Sequence, residues 1–106
     1  MSEVVLLKRT QQLLDEFPIG GKDADTKIRQ LLRAEYIRRL GQYRRVIQLL
    51  AQKYGMDFDA FIGKRVVQQR EYIWEVETDA MDWETAISGV KTIEKKLEEL
   101  TETSRA

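Results

Sequence analysis

Apolar residues recur along the last third of the chain with the spacing of a long amphipathic helix. From residue 71 to residue 100, two apolar series repeat every seven residues, interrupted only by Asp79. The series are Val76, Trp83, Val90, Leu97 and Tyr72, Ala86, Ile93, Leu100. Such a stripe is typical of a helix that packs on another helix. We predict one helix over 66–102. Residues 64–75 are rich in strand formers, but we assign the segment to helix because no second strand could pair with it.

Three further helices are predicted upstream. Apolar positions advance by threes and fours over 26–54, and a broad apolar face covers 3–17. Pro18 ends the first helix and makes 18–22 a hinge, while Asp23 or Asp25 can cap the second. A short corner helix over 57–63 follows Gly55, which we expect in a left-handed cap, and Asp57 is its N-cap. Gly41 and Gly89 lie inside long helices, where we expect simple tolerance rather than a close backbone approach.

The two long helices can be aligned against each other. When residues whose numbers sum to about 130 are paired, apolar side chains meet throughout, with Ile47 beside Trp83 and Tyr43 beside Ile87. This predicts an all-α single domain built on an antiparallel hairpin of two long helices, with an N-terminal helix and a short corner helix. One flank of the hairpin stays open. Either the helix over 3–17 or a second copy in a dimeric bundle could cover it.

Composition excludes most catalytic chemistry. The 106 residues contain no Cys and no His, which removes thiolate nucleophiles, the commonest general base and the commonest metal ligands. We therefore expect no enzyme, no cofactor and no metal. The apolar patch over 4–7 is much shorter than a signal core, so we expect a cytoplasmic protein with no membrane span.

Net charge is zero, but its distribution is uneven. Residues 22–54 hold nine Lys and Arg against three Asp and Glu, whereas 71–106 hold four against ten. One interpretation is mutual attraction of the two long helices. The alternative is that one block faces a partner. The Arg-rich helix over 27–45, which includes Arg38 and Arg39, could bind nucleic acid, although its basic residues are spread around the helix and nucleic-acid binding is not the favoured interpretation.

Two other patterns are considered and set aside. Residues 50–62 have the spacing of a helix-turn-helix, but Asp57 and Asp59 on the outward face would repel phosphates. Two acidic clusters resemble those of all-helical magnesium-dependent nucleotide pyrophosphohydrolases. They are Glu71, Glu75, Asp79 and Asp82, and Glu98, Glu99 and Glu102. Such sites need opposed carboxylates on two helices, and the facing helix offers only one in its middle.

Two segments carry a resemblance to a known group of proteins. KYGMDFDAF at 53–61 and YIWEVETDAMDWETAI at 72–87 resemble small prokaryotic helical proteins regarded as antitoxin-like partners encoded beside a toxin. The resemblance covers roughly residues 45–90, and Glu75, Val76, Glu77 and Trp83 match most closely. It implies an interaction function and no catalytic residue.

These observations favour a non-catalytic protein-protein interaction module, antitoxin-like, that binds and neutralises a toxin encoded by the adjacent gene. Trp74 lies about 200° around the last helix from the apolar seam, so it should project as an exposed anchor. The predicted partner-binding residues are Trp74, Glu71, Glu75, Glu77, Arg38 and Arg39. We also expect a homo-oligomer. The alternatives are nucleic-acid binding by 27–45 and a purely structural, self-associating helical protein.

Overall fold

The computed structural model describes residues 5–17 and 23–105. Over these residues the chain forms the helices α1 (Lys8–Glu16), α2 (Ala24–Tyr54), α3 (Phe58–Gly63), α4 (Val66–Gln69) and α5 (Trp74–Arg105), with no strand. The all-α prediction is confirmed. The chain divides into two compact units, residues 1–35 and 36–106, and the boundary falls within α2.

The first unit contains α1 and the beginning of α2. α1 begins at Lys8, so residues 5–7, which were predicted to be helical, are not; Leu7 before it has extended backbone, and its side chain makes no capping bond. The Lys27 side chain is buried, and its Nζ donates to the carbonyl oxygens of Leu14 at 3.0 Å and Asp15 at 2.9 Å. Lys27 thereby supplies a donor to Asp15 O near the end of α1, and a second donor to Leu14 O, which also accepts from the backbone N–H of Phe17 at 3.1 Å.

The predicted cap of α2 is confirmed at Asp23. Its carboxylate accepts from the Thr26 hydroxyl at 2.6 Å and from the Thr26 backbone N–H at 3.3 Å. These bonds, the hydroxyl bond first, lower the pKa of Asp23. The predicted hinge over 18–22 and the predicted start of helix at residue 3 lie outside the described residues.

The core of the second unit is an aromatic cluster. Trp83 and Phe61 are fully buried, and the Trp83 ring lies 5.2 Å from Phe61, 5.4 Å from Phe58 and 6.0 Å from Tyr54, measured between ring centroids. Ile47 packs against the buried core residues, which include Trp83 and Phe61. Rings at these separations contribute about 0.5–1.5 kcal/mol per pair beyond their burial.

The turn between α2 and α3 forms as its residue types predict. Gly55 has a φ of 67°, in the left-handed region that glycine adopts without strain. The Asp57 side chain accepts from the backbone N–H of Ala60 at 2.8 Å and caps α3. Phe61 turns inward from α3, so the segment with helix-turn-helix spacing supplies part of the core.

The predicted continuous helix over 66–102 is wrong. α4 ends at Gln69 and α5 begins at Trp74, and Glu71 and Tyr72 between them have φ values of 57° and 56°. In an unbroken helix Val66 and Val76 would lie about 15 Å apart along the axis. The break allows both to reach one core cluster, where both are buried. Tyr72, assigned to the apolar seam from the sequence, is exposed instead.

Side chains of α2 and α5 meet at several points along both helices. Lys53 bonds to Glu75 and Asp79, and Arg44 pairs with Glu94 at 3.4 Å. The Tyr43 ring lies so close over Gly89 that a Cβ there would be 2.5 Å from Tyr43 Cε2. The expectation of simple tolerance is therefore wrong for Gly89. It holds for Gly41, where a Cβ would have no atom within 4 Å.

Candidate partner-binding site

Three consecutive large side chains are exposed where α5 begins. Tyr72 is 58% exposed, Ile73 is 53% exposed and Trp74 is 78% exposed. We call these three residues the aromatic corner. Exposed large apolar side chains that follow one another in the chain, with charged residues next to them, make this segment a candidate for a protein-binding surface.

The backbone of the aromatic corner is fixed by hydrogen bonds. The N–H of Glu71 donates to Gln68 O at 3.0 Å, and the N–H of Tyr72 donates to Val67 O at 3.0 Å. On the other side, the carbonyl oxygen of Ile73 accepts from the first turn of α5. A left-handed conformation costs a non-glycine residue about 1–2 kcal/mol, so these bonds and the nearby core hold a strained segment in place.

A polar network lies beside the aromatic corner and joins α2 to the first turns of α5. Asp79 accepts from Lys53 Nζ and from the Tyr54 hydroxyl, both at 2.6 Å, and Glu75 accepts from Lys53 Nζ at 2.7 Å. The Arg70 guanidinium lies 5.8 Å from the centre of the Tyr54 ring, within cation–π range. Tyr54 therefore contacts one residue before the aromatic corner, Arg70, and one residue after it, Asp79.

The network shifts the pKa values of its members. Burial, together with the hydrogen bond donated to Asp79, raises the pKa of Tyr54 to about 12. Burial alone would raise the pKa of Asp79, but the bonds from Lys53 and Tyr54 outweigh it, so the pKa is lowered. The bonds to Asp79 and then Glu75 raise the pKa of Lys53. Near neutral pH the network therefore has a neutral phenol, an ionised Asp79 and a charged ammonium.

Sequence reasoning did not identify this network, although a signal for it was present. Asp79 is the one polar residue in the apolar series of α5, and the predicted register places it close to Lys53. A carboxylate on a buried stripe needs a partner, since burial without one is costly. Asp79, the exception in the apolar series, is therefore the position that Lys53 of α2 contacts.

The structure gathers some of the predicted site residues and separates others. Glu71 and Glu77 are exposed close to Trp74 in the chain, while Glu75 is engaged by Lys53. Arg38 and Arg39 are exposed on α2, about 24 Å along that helix from Tyr54, and each already interacts with other groups of the chain. The candidate site thus comprises the aromatic corner and its acidic neighbours.

Two basic residues of α2 are engaged with other parts of the chain. Lys27 is buried and bound to the end of α1, and Arg44 pairs with Glu94. In residues 5–17 and 23–105, no three acidic side chains are grouped so that they could hold a metal ion. None of the helices in that part of the chain is long and apolar enough to cross a membrane.

Comparison with protein-family models, with curated proteins and with solved structures finds no match to this chain.

Proposed function

We propose that this chain is a non-catalytic interaction module, antitoxin-like, that binds and neutralises a toxin encoded by the adjacent gene through the aromatic corner. The observation that carries the proposal is the exposure of Tyr72, Ile73 and Trp74 together on a hydrogen-bonded backbone. These side chains do not contribute to the buried core of the second unit, to which α5 supplies Val76 and Trp83 instead. A partner surface is the role that accounts for them.

The residue types and the fixed backbone of the aromatic corner are favourable for binding a protein partner. Tryptophan and tyrosine dominate binding hot spots because each buries a large area while losing few rotamers. The strained turn already fixes their backbone, so binding would cost little ordering of the main chain. Truncating such an anchor typically costs at least about 2 kcal/mol of binding free energy.

The charges around the aromatic corner favour a partner with a basic surface. Glu71 precedes Trp74 in the chain and Glu77 follows it, and both are exposed, whereas the charge of Glu75 is paired with that of Lys53. A toxin that cleaves or modifies RNA needs a positive active site, and acidic side chains beside an apolar anchor would complement it and speed association. We therefore propose a basic, RNA-directed toxin as the partner.

The scaffold of the proposal is an antiparallel hairpin of α2 and α5. Its support is the order of the contacts: Arg44 meets Glu94 far along α5, and Lys53 meets Asp79 near its start. In such a hairpin the aromatic corner lies at the bend, with the core cluster beneath it.

The proposal is tested by co-expressing the chain with the product of the adjacent gene. We expect co-purification and relief of growth arrest with the parent chain, and loss of both with Trp74→Ala. Leu49→Ala is the matched control because Leu49 is an exposed apolar residue of α2 away from the corner. Equal capture by the parent and by Trp74→Ala would rule out the corner as the binding site.

A further inference from the structure

We infer that a cavity between α2, α3 and α5 binds a free amino acid with a large apolar side chain. The cavity measures about 310 Å³, which is at the small end of the range for ligand sites in proteins. All three helices contribute apolar side chains to its walls: Ile47, Ala51, Phe58, Trp83 and Ile87. All of these except Trp83 are only half-buried, so they have apolar surface left to cover.

The cavity is short because contacts between helices bound it. The start of α3 lies at one end, and beyond the other end Arg44 of α2 and Glu94 of α5 form an ion pair at 3.4 Å. Arg44 is three residues from Ile47, and Glu94 is three residues from Lys91, which also lines the cavity. Three residues span about 4.5 Å along a helix and share one face. A single small molecule therefore fits this space better than a continuous peptide chain does.

Charged groups of both signs line the same cavity. Asp57 and Asp59 lie at the start of α3, and Lys91 lies on α5. Asp57 uses one carboxylate oxygen to cap α3, whereas the side chains of Asp59 and Lys91 make no ion pair or hydrogen bond with any other described residue. A ligand with an ammonium group and a carboxylate complements both signs, while a ligand with one charge complements only one.

The Trp83 indole gives a second reason for a ligand that carries an acceptor. Trp83 is fully buried beneath the cavity, and its Nε1–H has no acceptor in the described part of the chain. Buried donors are nearly always paired, and an unpaired one is costly. A carboxylate oxygen near the indole would supply the missing acceptor. An amino acid combines this oxygen with an ammonium group for the aspartates and an apolar side chain for the walls.

NMR spectra of the isotopically labelled full chain, titrated with phenylalanine, test the inference. The chain has two tryptophans, and Trp74→Phe identifies which indole N–H signal belongs to each. We expect the Trp83 signal to move and to saturate at millimolar phenylalanine, as for other ligands of this size. The Trp74 signal is the internal control and should stay in place, because Trp74 does not line the cavity.

Substitutions and ligand analogues test the role of each charge. Asp59→Asn and Lys91→Gln should each raise the dissociation constant for phenylalanine about fivefold, because each removes one charge pair. Phenethylamine, which lacks the carboxylate, and phenylpropionate, which lacks the ammonium group, should bind the parent chain more weakly by a similar factor. Asp82→Asn removes a charge at an exposed position of α5 outside the cavity and should leave binding unchanged.

Three results would overturn the inference. One is a Trp83 signal that does not move at millimolar phenylalanine. Another is equal movement of both indole signals, which would indicate non-specific association. The third is binding as tight as that of the parent in Asp59→Asn and Lys91→Gln. The aromatic corner does not line the cavity, so this inference goes beyond the proposed function, and toxin capture plays no part in its test.

Discussion

The contact of the Tyr43 ring with the backbone at Gly89 gives a sharp prediction about two glycines. A Cβ at Gly89 would lie 2.5, 2.6 and 2.8 Å from three atoms of that ring, whereas a Cβ at Gly41 would meet nothing within 4 Å. Both glycines lie inside long helices, where alanine gains about 1 kcal/mol. Overpacking costs about 1–3 kcal/mol. We therefore expect Gly41→Ala to stabilise the chain by about 1 kcal/mol and Gly89→Ala to lower stability by up to about 2 kcal/mol.

A double-mutant cycle isolates the cause. In a Tyr43→Ala background the ring is absent, so Gly89→Ala should become stabilising by about 1 kcal/mol, like its counterpart at Gly41. The coupling between positions 43 and 89 should therefore be about 1–3 kcal/mol, in the range found for residues in direct contact.

Urea unfolding followed by circular dichroism measures these differences. The midpoint should shift in each variant while the slope with denaturant stays constant, since the surface exposed on unfolding hardly changes. If Gly89→Ala stabilised the parent as much as Gly41→Ala does, the ring would not lie over Gly89. If it destabilised the Tyr43→Ala background as well, the cause would be something other than the ring.

Four further outcomes follow from other parts of the structure. Trp83→Ala should lower the free energy of unfolding by about 3–5 kcal/mol because a fully buried indole is deleted. Trp83→Phe should lower it clearly less, because the indole N–H has no acceptor in the described part of the chain. Equal losses for the two variants in urea melts would contradict this. Glu71→Gly should stabilise by about 1 kcal/mol because glycine takes a φ of 57° without strain, and a destabilised variant would refute the strained turn. Between pH 10 and about 12 the parent should lose stability more steeply than Tyr54→Phe, since the folded phenol keeps a proton that the unfolded chain releases; parallel pH curves would contradict the raised pKa. The chain should bind mixed RNA and DNA only weakly in filter assays, and submicromolar, salt-sensitive affinity that vanishes in Arg38→Glu/Arg39→Glu would instead favour nucleic-acid binding.

The features that the sequence predicts well are those with local causes. Asp23 and Asp57 cap helices because a short carboxylate reaches the amides three residues ahead, and Gly55 takes a positive φ because it has no Cβ. The buried face of α5 follows from its apolar spacing, which places Val76, Trp83 and Ile93 inside. Each of these inferences needs only a few neighbouring residues.

The break before α5 could not be predicted in this way. No glycine or proline marks it, and Glu71 and Tyr72 adopt a conformation that their residue types disfavour. Its cause is distant, because Val66 and Val76 must both reach the core that α2 and α3 help to build. The same limitation hid the exposure of Tyr72: the sequence predicts an exposed Trp74, but a continuous helix would leave Tyr72 in the apolar seam.

The buried ammonium of Lys27 has a consequence for how α1 moves. Among the described residues, α1 buries a single side chain, that of Leu14, and the Lys27 ammonium donates to two carbonyls near its end. Releasing this helix exposes little apolar surface, so its opening should need far less free energy than opening the core around Trp83. Amide hydrogens of α1 should then exchange with solvent well before those in the middle of α5, and a protease should be able to remove the N-terminal segment while the aromatic core persists.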